Sequence, residues 1–314
     1  MLSGILNIDK PKGLTSHDVV DLVRKSAGQR KVGHAGTLDP IATGVLPLCL
    51  GNATKLTEFL TAEEKEYRLI CRLGIETDTQ DITGETLAES DPSGITLENV
   101  EAVLPAFRGD IQQVPPMVSA KRHQGKRLYD LARQGIEVER EPIHIQIKTL
   151  DLENFENPNL TLYVSCSKGT YIRTLCHDIG KTLGCGAVMA ELVRTRCGAL
   201  CVENSVDPAV LKNAQTVEEY LHSPDVALEK FPAVTIRDSE IGSWLTGRAV
   251  RGGAILSATG DYEKDCLLRI KSLDGRLVGM GRSMFTSGQV NRLGGDIEVL
   301  KPVRVFPKPF APSA

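Results

Sequence analysis

The sequence lacks the features of a membrane or secreted protein. No apolar run reaches the roughly 18 to 20 residues that a membrane-spanning helix needs. The N-terminal segment MLSGILNIDKPKG has no basic region followed by an apolar one, which is the layout of a secretion signal. Internal repeats and low-complexity tracts are absent as well. We therefore expect a globular protein that works in the cytosol, away from membranes.

Paired metal-binding cysteines are also missing. The eight cysteines never form a CxxC pair, the commonest sign of a zinc site, and we interpret them as reduced thiols. A zinc site assembled from distant Cys and His residues is the alternative. Asp78, Asp81 and Glu85 do not have the spacing of an EF-hand loop, so we expect them in a solvated turn. The sequence therefore predicts no bound metal.

What the chain does contain is enough apolar sequence for a sizeable core. Of its 314 residues, 41% are hydrophobic, which suits one large domain and one small one. Residues 231–314 hold 12 Lys and Arg against 8 Asp and Glu, a net charge of +4, whereas residues 1–230 carry −7. Pro224 and the pair Phe231 and Pro232 mark the boundary between them. An acidic chain of this kind would bind nucleic acid through basic patches rather than through its bulk charge.

Apolar periodicity predicts strands mixed with separate helices. Period-two alternation and β-rich composition predict strands at residues 4–10, 67–73, 143–150, 159–166 and 198–202. Helical spacing predicts helices at residues 16–27, 53–60, 97–107, 128–133 and 171–183. Asp274 and Gly275 between two apolar segments predict a hairpin near the C-terminus. The absence of a regular βαβ rhythm favours an α+β fold.

The segment KVGHAGTLDPIATG, residues 31–44, is the densest candidate for a functional site. Its glycines let the backbone approach a ligand closely, and Pro40 fixes the turn just after Asp39. The same segment also fits a structural turn in which Asp39 binds nearby backbone N–H groups. Neither Asp39 nor His34 decides between the two interpretations by itself.

Five segments, in order along the chain, resemble the TruB family of pseudouridine synthases. The active-site pattern of that family, H-x-G-x-L-D-P-x-A-x-G, runs here from His34 to Gly44. The resemblance covers residues 4–200 and implies a mixed, largely antiparallel sheet with flanking helices, plus a small β-rich, PUA-like C-terminal domain. The other four segments are NIDKPKGLTSHDVV (7–20), YRLICRLGIETDTQDITG (67–84), PPMVSAKRHQGKRLYDLARQG (115–135) and CSKGTYIRTLCHDIG (166–180), the last followed by Leu192, Arg194 and Thr195.

The resemblance implies conversion of uridine to pseudouridine, in which the N1–C1′ bond breaks, the base rotates, and C5 joins C1′. It assigns the required carboxylate to Asp39, which either attacks C1′ or removes the 2′ proton, and both routes stay open. Arg173 would pair with Asp39 and hold it ionised and oriented. Tyr67 would lie against the base and is a candidate acceptor of the C5 proton, although a strand tyrosine is also an ordinary core residue.

The implied substrate is the T-loop uridine of tRNA, uridine-55, which must be flipped out of its stack to be reached. His34, Tyr171 and Leu192 match family positions beside the flipped nucleotide. Residues 118–145 resemble the RNA-embracing insertion of the family, whose basic side chains would contact phosphates. These are Lys121, Arg122, Lys126 and Arg127. The alternatives are a structural histidine, a phosphate-binding Arg173 and a solvated charge run.

Two other classes compete with an isomerase. One is an RNA-binding protein without chemistry, against which the joint presence of Asp39, Tyr67 and Arg173 argues. The other is a base-releasing hydrolase or a deaminase, but the HxE and PCxxC zinc ligands of deaminases are absent. We therefore predict a catalytic domain at 1–230 and a PUA-like RNA-binding domain at 231–314. We expect no metal or organic cofactor, the T-arm of tRNA as partner, and a monomer without an obligate protein partner.

Overall fold

The computed structural model describes residues 1–119 and 121–310, apart from the side chains of Arg122 and Pro309. The helices are α1 (Ser16–Ala27), α2 (Thr57–Thr61), α3 (Leu97–Val103), α4 (Leu128–Ala132), α5 (Ile172–Leu183), α6 (Ala214–Glu219), α7 (Asp238–Leu245) and α8 (Ser287–Val290). The strands as far as residue 166 are β1 (Gly4–Lys10), β2 (Val32–His34), β3 (Thr43–Leu50), β4 (Lys65–Leu73), β5 (Ile75–Thr77), β6 (Thr86–Glu89), β7 (Gly109–Gln113), β8 (Arg122–His123), β9 (Lys126–Arg127), β10 (Ile143–Glu156) and β11 (Asn159–Cys166). The remaining strands are β12 (Ala187–Cys197), β13 (Leu200–Cys201), β14 (Ala233–Ile236), β15 (Val250–Arg251), β16 (Ile255–Ala258), β17 (Leu267–Lys271), β18 (Leu277–Ser283) and β19 (Glu298–Phe310).

The main sheet has the strand order β1-β3-β12-β4-β11-β10-β7, with β2 paired to β3 and β13 to β12. In the described part of the chain, β3 and β12 are its one parallel pair, and the other neighbours run antiparallel. Alternate residues of β4 point into the core, so Lys65, Tyr67 and Leu69 lie on one buried face. This alternation places charged and apolar side chains on the same inner surface, because successive strand residues face opposite ways.

Helix α1 shows why the local sequence folds as it does. Thr15 and Asp18 form a reciprocal capping box at its start, and Gly28 ends it in the left-handed region at φ 61°. Val19, Val20 and Val23 form the buried stripe, at the three- and four-residue spacing of a helix face. Helices α1, α3 and α5 share one hydrophobic core with the main sheet.

A second sheet, with the order β15-β19-β18-β17-β14-β16, follows residue 232. It has its own apolar cluster around the fully buried Trp244. A third cluster joins the two sheets, because Phe59 and Leu60 pack with Met280 and Phe306. The Lys55 ammonium donates to the Val305 carbonyl at 3.0 Å across the same contact. The second sheet is therefore anchored to the segment that leads into β4.

Most predicted elements are present, although some differ in kind or length and others, such as β3, β7, α6 and α7, were not predicted. The predicted helix at 53–60 is a 3₁₀ turn from Gly51 to Leu56 followed by the short α2. The predicted strand at 198–202 is reduced to the two residues of β13. Strand β12, in the middle of the sheet, was not predicted, because its apolar residues AVM and the charged segment ELVRTR do not alternate regularly. Its pairing with β4 shifts register twice, at Met189/Glu191 and at Arg194/Arg196, which explains the broken alternation.

No helix within residues 1–119 and 121–310 combines the length and apolarity needed to cross a membrane.

Candidate active site

Asp39 lies in the loop that joins β2 to β3. The loop is tied to α1, because the Ser16 hydroxyl accepts from the Leu38 N–H at 2.9 Å and donates to the Leu38 carbonyl at 3.1 Å. Gly44, the second residue of β3, has φ 94°, and a Cβ there would lie 2.3 Å from the Arg194 carbonyl oxygen of β12. Only glycine therefore allows β3 and β12 to pair so closely at this point.

Arg173 holds the Asp39 carboxylate with both ends of its guanidinium group. Its Nε lies 2.8 Å from Asp39 Oδ2, and its Nη2 donates to Oδ1 at 3.2 Å. The same guanidinium donates to the Thr79 carbonyl at 2.9 Å and to the Val118 carbonyl at 2.8 Å. The Arg173 side chain is 6% exposed, whereas that of Asp39 is 34% exposed. The pair therefore presents an oriented carboxylate to the solvent side while its cation stays buried.

Asp81 corrects a prediction from sequence. Its spacing had suggested a solvated turn with Asp78 and Glu85, but Asp81 is 5% exposed and only its two companions follow that expectation. Asp81 Oδ2 lies 3.7 Å from Arg173 Nη1, and its Oδ1 accepts from the Thr83 N–H at 3.0 Å. Pairing between strands that are far apart in the sequence places this turn over α5, and the spacing of residues in the sequence could not reveal that position. Asp81 is thus a second carboxylate behind the Asp39–Arg173 pair.

We expect Asp81→Asn to lower the single-turnover rate of pseudouridine formation by about ten- to a hundredfold, because a loosened Arg173 misplaces Asp39. RNA affinity should stay within about threefold, since Asp81 is only 5% exposed and lies behind the Asp39–Arg173 pair. The matched control is Glu85→Gln in the same turn, whose side chain is exposed. A normal rate in Asp81→Asn, measured by quench-flow at saturating enzyme, would remove Asp81 from the network.

A cavity of about 500 Å³ opens beside Asp39. This size lies within the range of roughly 300 to 1,000 Å³ that holds small-molecule ligands. The structure brings together here six of the residues predicted from sequence. They are His34, Asp39, Tyr67, Tyr171, Arg173 and Leu192.

Each side chain of the cavity reaches it from a different element. Tyr67 comes from β4 and Leu192 from β12, and both are less than a tenth exposed. Tyr171 precedes α5, and its backbone is fixed by Gln113, which accepts from the Tyr171 N–H at 2.8 Å. His34 ends β2, and its Nδ1 is buried without a hydrogen-bond partner in the described structure. The four side chains therefore meet at one cavity although they come from separate parts of the fold.

Burial sets the protonation of two of these groups. It lowers the pKa of His34, with the nearby Arg194 charge acting in the same direction, so the imidazole is neutral at pH 7. It also raises the pKa of Tyr67 far above its ordinary value, and the charge of Arg194 offsets only part of that effect. Tyr67 therefore offers a neutral hydroxyl group to the cavity.

The predicted basic segment is only partly gathered at this site. Strands β8 and β9 form a hairpin, and Arg127 lines a groove of about 850 Å³ together with His34 and Asp39. Arg127 stacks over the ring of Tyr129, 5.5 Å from its centroid. Lys126 lies on an adjoining surface, and Lys121 points to the Glu141 carbonyl at 3.5 Å. The Arg122 side chain lies outside the described structure.

Two buried cations in the cavity wall were not given a role from sequence. Lys65 and Arg194 are 6% and 1% exposed, and both line the same cavity as Asp39. The sequence did contain a signal for both. Lys65 stands two residues from Tyr67 and Arg194 two residues from Leu192, so each shares a strand face with a predicted pocket residue. Among the described residues, no group of three or more His, Cys, Asp or Glu is arranged to hold a metal ion.

A mixed sheet that carries an arginine-paired aspartate at the wall of a cavity of about 500 Å³ is the arrangement expected of a pseudouridine synthase, an isomerase that modifies RNA. The family model described as TruB family pseudouridylate synthase (N terminal domain) matches residues 24–172, and that of the tRNA pseudouridylate synthase B C-terminal domain matches residues 173–230. A tRNA pseudouridine synthase B from Clostridium tetani is 46% identical over 90% of this chain and 96% of its own length. One from Pseudomonas aeruginosa is 42% identical over 89% and 91%. The chain belongs to the TruB family and is a tRNA pseudouridine synthase.

Solved structures agree with the fold class. An H/ACA RNP bound to a substrate RNA containing 2′-deoxyuridine contains a chain that matches 97% of this one, with 26% identity and a TM-score of 0.75. A Cbf5-Nop10-Gar1 complex matches over the same share, with 28% identity and a TM-score of 0.75. The predicted α+β fold, with its mixed, largely antiparallel sheet and small β-rich, PUA-like C-terminal part, is confirmed.

Proposed function

We propose that this synthase isomerises the T-loop uridine of tRNA, uridine-55, after flipping it into the cavity beside Asp39. The observation that carries the proposal is the bidentate Asp39–Arg173 pair, whose carboxylate is one-third exposed while its guanidinium is buried. A carboxylate fixed in this way keeps one lone-pair face free for a substrate atom. The stacked base must leave its helix to reach that face.

The reaction needs no atom from outside the substrate. The C1′–N1 bond breaks and its electron pair leaves with the uracil ring. C1′ then lacks an electron pair. Asp39 compensates for it either by forming a bond to C1′ or by removing the C2′ proton so that a C1′–C2′ double bond forms. The ring then rotates and C5 joins C1′, while the Asp39–C1′ bond breaks on the first route or Asp39 returns the proton to C2′ on the second. The C5 proton leaves, and N1 gains a proton.

The cavity walls fit a flat, weakly polar base. Tyr67 and Leu192 offer buried apolar surface from adjacent strands, and we assign them to contact with the ring. His34 lines both the cavity and the adjoining groove, Tyr171 lines the cavity, and we assign both to contact with the flipped nucleotide. The neutral Tyr67 hydroxyl is a weak base, so transfer of the C5 proton to it stays a prediction.

We assign the remainder of the chain to RNA binding. Residues 1–230 form the catalytic domain, residues 118–145 its RNA-embracing insertion, and residues 231–314 a PUA-like RNA-binding domain. Support comes from the separate second sheet and from the position of Arg127 on the groove beside Asp39. Lys121, Arg122 and Lys126 extend the positive charge of this insertion towards phosphates.

We expect the double variant Lys126→Ala and Arg127→Ala to weaken T-arm RNA binding and to reduce the slope of log K against log salt by about 1 to 2, because each lost phosphate contact releases fewer counterions. The catalytic rate at saturating RNA should change much less than the affinity. Fluorescence anisotropy at several salt concentrations measures the slope.

The matched control for that variant is Arg72→Ala with Lys181→Ala, two exposed cations near the ends of β4 and α5 that point away from the cavity. Equal losses of slope in both double variants would show that the effect is one of bulk charge. The insertion would then have no special place in RNA binding.

The decisive test of the proposed substrate is pseudouridine mapping on a T-arm stem-loop and on intact tRNA. We expect modification at uridine-55 alone, with no change in RNA mass. A lower mass would indicate base loss, and a gain of about one dalton after deamination of cytidine would indicate a deaminase. Binding without any change of uridine would support an RNA-binding protein instead.

We also expect activity to survive EDTA, because an isomerisation without redox change or group transfer needs no Lewis acid. The assay compares single-turnover rates before and after dialysis against EDTA at moderate salt, with thermal melting of the T-arm RNA as a control for loss of Mg²⁺. A stoichiometric metal in elemental analysis, with activity that returns only when that metal is restored, would contradict this prediction.

A further inference from the structure

Arg194 is a buried cation that no carboxylate neutralises. It is 1% exposed, and among the described residues no ion pair within 4.0 Å joins it to Asp or Glu. Its Nε donates to the Val45 carbonyl at 2.6 Å, and its Nη2 lies 3.4 Å from the Gly36 carbonyl. Two carbonyl groups solvate part of the guanidinium but leave its full charge in place.

The sheet aims this charge at the cavity. In the β4–β12 ladder Arg194 stands directly opposite Tyr67, and in the parallel β3–β12 pair it stands opposite Gly44. Arg194 therefore lines the same cavity as Asp39, Tyr67 and Leu192. Lys65 adds a second positive charge to that wall, with its ammonium held by the Thr61 carbonyl at 2.6 Å.

Keeping such a charge inside a protein is expensive. A buried ion without an opposite charge costs several kcal/mol even after relaxation, so a purely structural bridge between two carbonyls could use a neutral side chain at lower cost. The effect on neighbours is visible, since burial and then the Arg194 charge lower the pKa of His34. Of the residues that line the cavity, Lys65, Lys168, Arg173 and Arg194 are basic, and Asp39 alone is acidic.

We infer that Arg194 stabilises the uracil anion that forms when the glycosidic bond breaks. The inference rests on the proposed function, because the C1′–N1 electron pair leaves with the ring on either route of Asp39. The negative charge then spreads over N1, O2 and O4 until C5 attacks C1′, so a fixed positive charge beside the ring lowers the energy of every species from cleavage to rejoining. A preorganised charge in a water-poor site is the strongest form of such stabilisation.

The test compares two substrates with two variants. T-arm RNA carries either uridine or 5-fluorouridine at the target position, and fluorine withdraws electrons so that the departing anion needs less external stabilisation. We expect Arg194→Gln to slow single-turnover loss of the starting nucleoside by about a hundredfold or more for uridine, but by no more than about tenfold for 5-fluorouridine. Arg194→Lys, which keeps the charge, should retain most of the rate. RNA affinity should stay within about threefold for both variants.

A structural role predicts a different pattern. If Arg194 only bridges Val45 and Gly36, then Lys and Gln should be equally damaging and the two substrates should suffer equally, which would overturn the inference. The matched control is Arg196→Gln on the same strand, an exposed residue paired with Glu66 at 3.2 Å, which should leave both rates unchanged.

The same experiment also distinguishes a folding defect, a failure of the proposed function and a failure of the role inferred for Arg194. Thermal melting reports whether each variant folds. If Arg194→Gln does not fold, Arg194→Lys decides. A rate close to wild type, or a deficit that is smaller for 5-fluorouridine than for uridine, supports the inference, whereas a large deficit that is equal for both substrates overturns it. Failure of the wild-type protein to form pseudouridine would refute the proposed function. If the wild type is active but the Arg194 variants lose the same fraction of their rate on both substrates, only the role of Arg194 is refuted.

Discussion

Asp39→Asn is expected to abolish pseudouridine formation while RNA affinity stays within about tenfold, which is roughly 1.4 kcal/mol. Asn has the shape of Asp but can neither attack C1′ nor accept the 2′ proton, so both routes are blocked at once. Arg173 keeps its bonds to the Thr79 and Val118 carbonyls, and Asp81 remains 3.7 Å away, so the fold of the site should survive. Binding changes little because it is spread over many phosphate contacts.

The measurement is single-turnover conversion of T-arm RNA, with anisotropy for binding and thermal melting for folding. Asp21→Asn serves as control, since it removes an exposed carboxylate of α1 that pairs only with surface groups. Turnover at the wild-type rate in Asp39→Ala would end the assignment of Asp39 as the essential carboxylate. Loss of both binding and melting stability in Asp39→Asn would point to a structural turn.

Arg173→Lys is expected to be nearly as damaging as Arg173→Ala, although the positive charge is kept. The guanidinium group reaches four oxygens in different directions, two on Asp39 and one each on Thr79 and Val118. A lysine ammonium is a compact point charge without the planar fork, so it cannot hold all of these groups at once. A carboxylate displaced by about an ångström can lose roughly a hundredfold in rate.

Single-turnover rates and salt-dependent binding of the two Arg173 variants separate a positioning role from a phosphate contact. The control is Arg196→Lys, an exposed arginine that pairs with Glu66. RNA affinity should change little in both Arg173 variants, because the side chain is 6% exposed and bonded to protein groups. Weaker and more salt-sensitive binding as the main defect, or near wild-type turnover in Arg173→Lys, would contradict the positioning role.

Local signals were sufficient for many elements of the fold. Helix α1 could be predicted to within about one residue, because its capping residues and its apolar stripe are all within the helix or next to it. The hairpin of β17 and β18 around Asp274 and Gly275 was likewise predictable. Strand β12 was missed because its two register shifts depend on β4, which is more than a hundred residues away in the chain.

The sequence by itself determined which residues are available for chemistry. The ordered motifs around Asp39, Tyr67 and Arg173 led to the family and to the expectation that these three side chains meet. Spacing along the chain pointed to Arg194 only through its place two residues from Leu192, and it put Asp81 in a solvated turn.

Tertiary structure decided the environment of those two charges. Asp81 is buried because the turn after β5 packs near α5, and Arg194 is buried because β12 lies between β3 and β4. Burial and charge compensation are properties of contacts between distant segments, and they set the free energy of an ionised group far more than its neighbours in sequence do. For that reason an acidic turn and a strand arginine could be understood only once the sheet had placed them against the cavity.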